Sequence, residues 1–387
     1  MREYEKIKAV IMRGGTSKAV FIMENDLPRD SATRDKVILS IFGSPDIRQI
    51  DGLGGADPLT SKLAIIKPSL RNDADVDYTF AYIGINKAEI DYVGNCGNIS
   101  SAVGPYAIDE GLVQAIEPYT TVKIYNTNTK KIILAEIHVR DGKALISGGY
   151  CIDGVPGTGA KISLSFPNAQ GSLTGKLLPT GHLIDEIVLE DGRKIRTSMV
   201  DAAAPAIYIK AVDIGLTGAE LPQDFVVNPK HLALVEEIRV KGAEIMGLIK
   251  YNNGLRIVSS AIPKVAIVGK AQSYKTISGT EVSESDIDMV ARTKALGVIH
   301  KAYAITGGIC TAAAAMIQGT VLNEVLSPEA IKNGVVRLGH PSGIMEFDVK
   351  IEGSSVDTFE LTKATVGRTA RRIMDGSVYI PSEIYWK

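Results

Sequence analysis

Two side chains able to exchange protons stand beside small-residue turns in the first half of the chain, Lys62 and Cys96. Cys96 lies in Gly94-Asn95-Cys96-Gly97-Asn98, between a strand expected over Tyr78 to Ile85 and a helix of small residues reaching to about Asp109. A helix start gathers unpaired backbone N–H groups and the positive end of the helix, which bind a carboxylate and favour a thiolate. Lys62 follows Thr60-Ser61 and opens the apolar strand KLAIIK, surroundings that favour a cleft over the solvated surface where most lysines sit. Moving a proton without a cofactor needs a base on one side and an acid on the other. His300, six residues before Thr306, has an imidazole suited to that exchange. Cys310 falls inside a helical stretch and reads as a small core hydrophobe; His340, a turn residue in Gly339-His340-Pro341-Ser342-Gly343, is a weaker candidate than His300, and Cys151 receives no role.

The bulk composition removes several classes of function. Lys and Arg total 43 against 44 for Asp and Glu, so no basic field exists to hold nucleic acid or an anionic membrane. The opening residues MREYEKIKAV lack an apolar signal core, and no apolar run has the length of a membrane span; a cytoplasmic, soluble protein is expected. Three cysteines at irregular spacing match no zinc pattern, and no GxGxxG or GxxxxGK[ST] phosphate loop occurs. No metal and no cofactor are expected, and the partner is a small molecule.

These residues recur at a long period. In the first half, strands at Val10 to Met12 and Ala19 to Met23 flank the turn Arg13 to Ser17. A helix over Ala32 to Phe42, the glycine loop Asp51 to Gly55 and the strand at Lys62 follow. In the second half, a turn at Asp201 to Pro205, a strand over Ala206 to Val212, a helix from Asn228 and the strand KVAIVGK repeat the order. Lys62 and Lys264 are 202 positions apart, and Cys96 and Thr306 are 210 apart, so one loop difference of eight residues aligns both pairs. Two homologous halves, 1–180 and 181–387, joined through Pro167 to Gly181, are the economical reading, with the last strands free to return to the first half. Two helix starts, Gly97-Asn98 and Thr306-Gly307-Gly308, would then face each other across a cleft and bind the carboxylates of one small dicarboxylic acid.

MRGGTSK (12–18), DGLGGADPLTSK (51–62), GNCGNISSAVGP (94–105), GHPSG (339–343) and RTARRIMDG (368–376) together resemble the methylaconitate isomerase (PrpF) family of the diaminopimelate epimerase superfamily. The resemblance implies an α/β fold of two pseudo-symmetric halves, each a mixed sheet wrapped round a central helix, with the active site between them. It gives Lys62 and Cys96 the catalytic roles and lets Ser17, with Thr16 beside it, bind or orient the substrate; His300 is carried on position. Thr306 stands where the epimerases have a second cysteine, which favours a lysine-assisted proton shift over symmetric stereoinversion, and DAAAP (201–205) replaces their GNP, so no substrate contacts are carried over there. The implied reaction converts 3-methylitaconate into 2,3-dimethylmaleate in a homo-oligomer. Isomerisation of the tricarboxylate 2-methylaconitate, or non-catalytic binding of a dicarboxylate by an accessory protein, are the alternatives.

Overall fold

Strands dominate the chain: Tyr119–Asn126 and Lys131–Arg140 alternate buried with more exposed positions, Lys62–Pro68 and Lys264–Lys270 are buried along most of their length, and the two most deeply buried helices are built from small residues. The computed structural model describes residues 3–167, 169–252, 255–257, 262–295 and 297–386. The chain divides into two compact units, Met1–Leu164 with Gly367–Lys387, and Ser165–Val366. Among the described residues no helix is long and apolar enough to cross a membrane.

In the first unit, β1 (Tyr4–Gly14) and β2 (Ser17–Met23) form an antiparallel hairpin. Helix α1 (Ser31–Phe42) begins where the Asp30 carboxylate accepts the Thr33 N–H at 2.8 Å, and it ends at Gly43 with φ 66°. Strand β3 (Lys62–Pro68) then runs parallel to β2, and β4 (Val76–Ile83) antiparallel to β3 with Tyr82 opposite Lys62. Helix α2 (Gly97–Asp109) is buried from Gly97 through Ile108. Its small residues permit this: a Cβ on Gly104 would stand 2.6 Å from Ile137 Cδ1. Its buried serine hydroxyls are satisfied by nearby backbone, Ser100 donating to the Cys96 carbonyl at 3.1 Å and Ser101 to that of Asn98 at 2.6 Å. Strands Tyr119–Asn126, Lys131–Arg140 and Ala370–Pro381 pack round it with β1 and β2. Ala370–Pro381 pairs along the whole of β1, which draws the C-terminal residues into this unit.

The second unit repeats the plan. Strands Lys194–Ala202 and Ala204–Lys210 make the hairpin, and Lys264–Lys270 lies parallel to the latter and antiparallel to Met289–Ala295. Helix Ile305–Met316 is buried from Ile305 through Ala315. Asn228 is the N-cap of helix Pro229–Ile245, as its Asn-Pro start implies. The strand expected to reach Val212 stops at Lys210, because Ala211–Ile214 coils into a 3₁₀ turn closed by Gly215 at φ 74°.

The stretch Pro167 to Gly181, read as the join between the halves, is held down. Asp201, fully buried, accepts from the Leu173 and Thr174 N–H groups at 2.8 Å each, from Thr174 Oγ1 at 2.9 Å and from Ser172 Oγ. Glycine and small polar residues here serve a tight turn around a carboxylate, and residue 180 falls inside the second unit. Asn168, within the stretch, lies outside the described residues.

Glu236 pairs with Arg239 one turn along helix Pro229–Ile245 at 2.6 Å and links that helix to strand Met289–Ala295 through Lys294. The hydrogen bonds from Arg239 first, then Lys294, outweigh burial and hold its carboxyl at about 2. A depressed folded-state value stabilises above the ordinary carboxylate range and is lost as pH falls toward 2. Glu236→Gln should therefore cost about 1 kcal/mol near neutrality, allowing for a part-exposed carboxylate. Denaturant melts at several pH values check it, with the gap to wild type closing as acid is added.

Candidate active site

The β1–β2 hairpin tip rests on the first turn of α2 so closely that only glycine fits. Gly15 has φ 48°, and a Cβ there would lie 2.1 Å from Asn98 Oδ1; one on Gly14 would lie 2.5 Å from the Asn98 carbonyl oxygen. Asn98 Nδ2 donates to Thr16 Oγ1 at 3.1 Å, and its Oδ1 accepts from the Thr16 N–H at 3.4 Å. Arg13 braces the same tip, donating to the Gly15 and Thr369 carbonyls at 2.9 Å each and to Thr369 Oγ1 at 3.0 Å. On the other side, buried Ser61 donates to the Ile83 carbonyl at 2.9 Å and accepts from Gln49 Nε2 at 2.8 Å. The residue after Ser61 thus starts its strand at a fixed place.

That residue is Lys62. Its Nζ donates to Ser17 Oγ at 2.8 Å and to Cys96 Sγ at 3.3 Å, and Ser17 and Cys96 lie 4.0 Å apart. All three are buried, with 2% of Lys62, 2% of Ser17 and 6% of Cys96 exposed. Among the described residues Lys62 makes no ion pair with a carboxylate. Cys96 is the N-cap of α2, and the first bond of the helix runs from the Ser100 N–H to the Cys96 carbonyl at 2.9 Å. The N–H groups of Gly97 and Asn98 precede it, at the positive end of the helix dipole. A thiol, an ammonium and a hydroxyl in contact beneath such a helix start can pass a proton and hold an anion.

Lys62, Cys96, Ser17, Thr16, Gly97 and Asn98 are therefore brought together in the first unit. Thr306, Gly307, Gly308 and His300 belong to the second. There Lys264 Nζ donates to Thr306 Oγ1 at 3.2 Å across 42 residues, where Lys62 meets Cys96 across 34. The eight-residue loop difference read from sequence reappears in these two contacts. The second helix begins at Ile305, so Thr306 lies inside its first turn, and the Gly308 N–H already donates to the Ala304 carbonyl at 2.8 Å. Gly308 is glycine for packing, since a Cβ would sit 2.1 Å from Phe347 Cζ. The second hairpin tip, Ala202-Ala203-Ala204, carries no hydroxyl. His300 Nδ1 accepts the Ala302 N–H at 3.0 Å, which places the proton of the neutral ring on Nε2. His340, at a strand end, accepts the Ser342 N–H at 3.2 Å.

Cys310 is fully buried, donates to the Val200 carbonyl at 3.3 Å, and burial pushes its thiol up to about 12. Cys151 is exposed. Cys310→Ala should keep turnover within about twofold and cost about 1 kcal/mol of stability, which paired rate and melting measurements check.

Sequence reasoning missed the aromatic wall of this site. Tyr78, Phe80 and Tyr82 share one face of β4, and the Lys62 Nζ lies 5.2 Å from the Tyr82 ring centroid. The signal was the spacing of two in YTFAY, which puts all three rings on one side of a strand.

The model of the PrpF protein family matches residues 4–381. The chain belongs to the PrpF family. It is 49% identical over 381 residues to 3-methylitaconate isomerase of Eubacterium barkeri, covering 98% of each chain. The crystal structure of a methylitaconate-delta-isomerase superposes with TM-score 0.85 at 47% identity, over 99% of this chain and 98% of that one. A hydroxyproline epimerase from Agrobacterium vitis, 13% identical with TM-score 0.57 over 98% of this chain and 94% of that one, shares the fold alone. The PrpF member described here thus has the epimerase-like α/β fold of mixed sheets round central helices that its motifs implied.

Proposed function

We propose that this chain is a cofactor-independent isomerase that shifts a proton and a double bond in 3-methylitaconate, giving 2,3-dimethylmaleate. The reading is carried by one observation: a buried ammonium lacking a carboxylate partner among the described residues touches both a thiol and a hydroxyl at a helix start. The near-half identity to the Eubacterium barkeri isomerase supports the choice of substrate.

The substrate's C3 proton is both allylic and alpha to a carboxylate. Either Lys62 or Cys96, in its basic form, removes it, and the electron pair of the C–H bond delocalises into a dienolate. The oxygens of that anion gain hydrogen bonds as charge grows on them, from the N–H groups of Gly97 and Asn98 and from Thr16. Preorganised donors of this kind are worth about 3 kcal/mol each in comparable sites. The conjugate acid of the pair then protonates the exocyclic methylene, which becomes the second methyl group. Ser17, held by Lys62, orients the ammonium or the adjacent carboxylate. His300 and the start of the helix at Ile305 are proposed as further substrate contacts, with Thr306 and the Gly307 N–H as the donors there.

We place the protein in the cytoplasm as a homo-oligomer, for which light scattering of the purified protein is the check. The activity test uses purified protein alone with 3-methylitaconate and, separately, 2-methylaconitate. Conversion of the dicarboxylate with kcat/KM at least about a hundredfold higher is expected. The reverse preference would assign the tricarboxylate reaction, and no conversion of either would leave a binding protein.

A further inference from the structure

We propose that Tyr82 is a positioning residue for proton transfer: the face of its ring keeps the Lys62 ammonium charged and aimed at Cys96. The inference rests on the reading of Lys62 and Cys96 as the proton-transfer pair, and it assigns a group outside that pair.

The strand register places the ring. Lys62 and Tyr82 are directly opposite across the antiparallel β3–β4 pair, so their side chains leave the sheet as neighbours. Nζ stands 5.2 Å from the ring centroid, inside the reach of a cation–π contact. The ring cannot easily turn away. Phe80 meets it edge to face at 4.6 Å and 89°. The Phe80 backbone is clamped by Asn128, which accepts its N–H and donates to its carbonyl, both at 2.8 Å. On the side of the loop that carries Cys96 the chain passes as Gly94, where a Cβ would lie 4.0 Å from Tyr82 Cε2.

The ring also meets a physical need. Burial drives an ammonium toward its neutral form unless something compensates the lost hydration, and the partners of Lys62 at hydrogen-bond distance are a hydroxyl and a thiol. The negative face of an aromatic ring stabilises the cation without taking a proton from it, and the cation in turn favours the thiolate of Cys96. The groups facing the pair are Ser17 from β2, Tyr78 and Tyr82 from β4 and the start of α2, with Asp91 acting on Tyr82. Both tyrosine hydroxyls are held protonated, first by burial and then by charge at Cys96. Neither competes for the proton.

The test reads the Cys96 thiolate directly, as the pH-dependent ultraviolet absorbance difference between the protein and its Cys96→Ala variant, and needs no substrate. Tyr82→Phe should titrate as wild type, because the ring face is kept. Tyr82→Leu should move the midpoint upward by about one pH unit and lower kcat by about tenfold to thirtyfold with KM little changed. Fluorinated phenylalanines at position 82 preserve shape while draining the ring face, so the midpoint should climb stepwise with fluorine number even if the leucine variant folds poorly. In a Lys62→Met background the same changes at 82 should move nothing. A flat fluorine series, a shift in Tyr82→Phe as large as in Tyr82→Leu, or a shift that persists without Lys62 would each overturn the proposal. Failure to isomerise 3-methylitaconate with the titration pattern intact would instead count against the proposed reaction.

Discussion

Cys96→Ala should lower kcat by about 100- to 10,000-fold, the usual cost of removing a general acid or base, and should leave the protein folded. The side chain loses one atom at a helix N-cap. The backbone carbonyl that starts α2, bonded to the Ser100 N–H at 2.9 Å, is untouched. What disappears is the group 3.3 Å from Lys62 that can accept or return the proton. Cys96→Ser should keep a trace of activity, since a hydroxyl can replace the hydrogen bond but ionises far less readily than a thiol. Steady-state rates with melting temperatures check both variants, and a folded Cys96→Ala enzyme with near-normal turnover would pass the role to His300.

Lys62→Met should lose kcat by about 100-fold or more while melting no lower than wild type. Met retains the apolar stem that β3 buries and removes a charge whose desolvation no carboxylate offsets among the described residues. Replacing a buried charged group by an apolar side chain of similar volume is often neutral or stabilising. A loss of activity without a loss of stability separates a functional lysine from a structural one. Lys62→Arg should not rescue, because the wider planar fork does not fit between Ser17 and Cys96 as a compact ammonium does. Thermal melts alongside rates decide it, and a large drop in melting temperature for Lys62→Met would argue for a structural role.

Much of this site was legible because its determinants are local. Glycines at 14 and 15, the small-residue run of α2 and the apolar strand opened by Lys62 each carry a turn, burial or periodicity signal; α2 and β3 lie within a few residues of their expected places, whereas β1 starts at Tyr4, well before the expected Val10. The repeat was legible for the same reason, since Lys62 and Lys264 open matching strands. What sequence did not reveal depends on register or on a distant partner. Tyr82 faces Lys62 only through the β3–β4 pairing, and the stretch read as the join between the halves is fixed by Asp201, about thirty residues on. Gly308 looked like an anion-binding glycine because glycine serves both functions, and only Phe347 against it shows the packing reason.

The central claim is that Lys62 and Cys96 move the proton, and it meets its most direct test in deuterated water with 3-methylitaconate followed by proton NMR. Wild-type protein should erase the C3–H signal and yield 2,3-dimethylmaleate with deuterium in its new methyl group, whereas Lys62→Met and Cys96→Ala should do neither on the same timescale. Conversion at the wild-type rate by either folded variant would contradict the account.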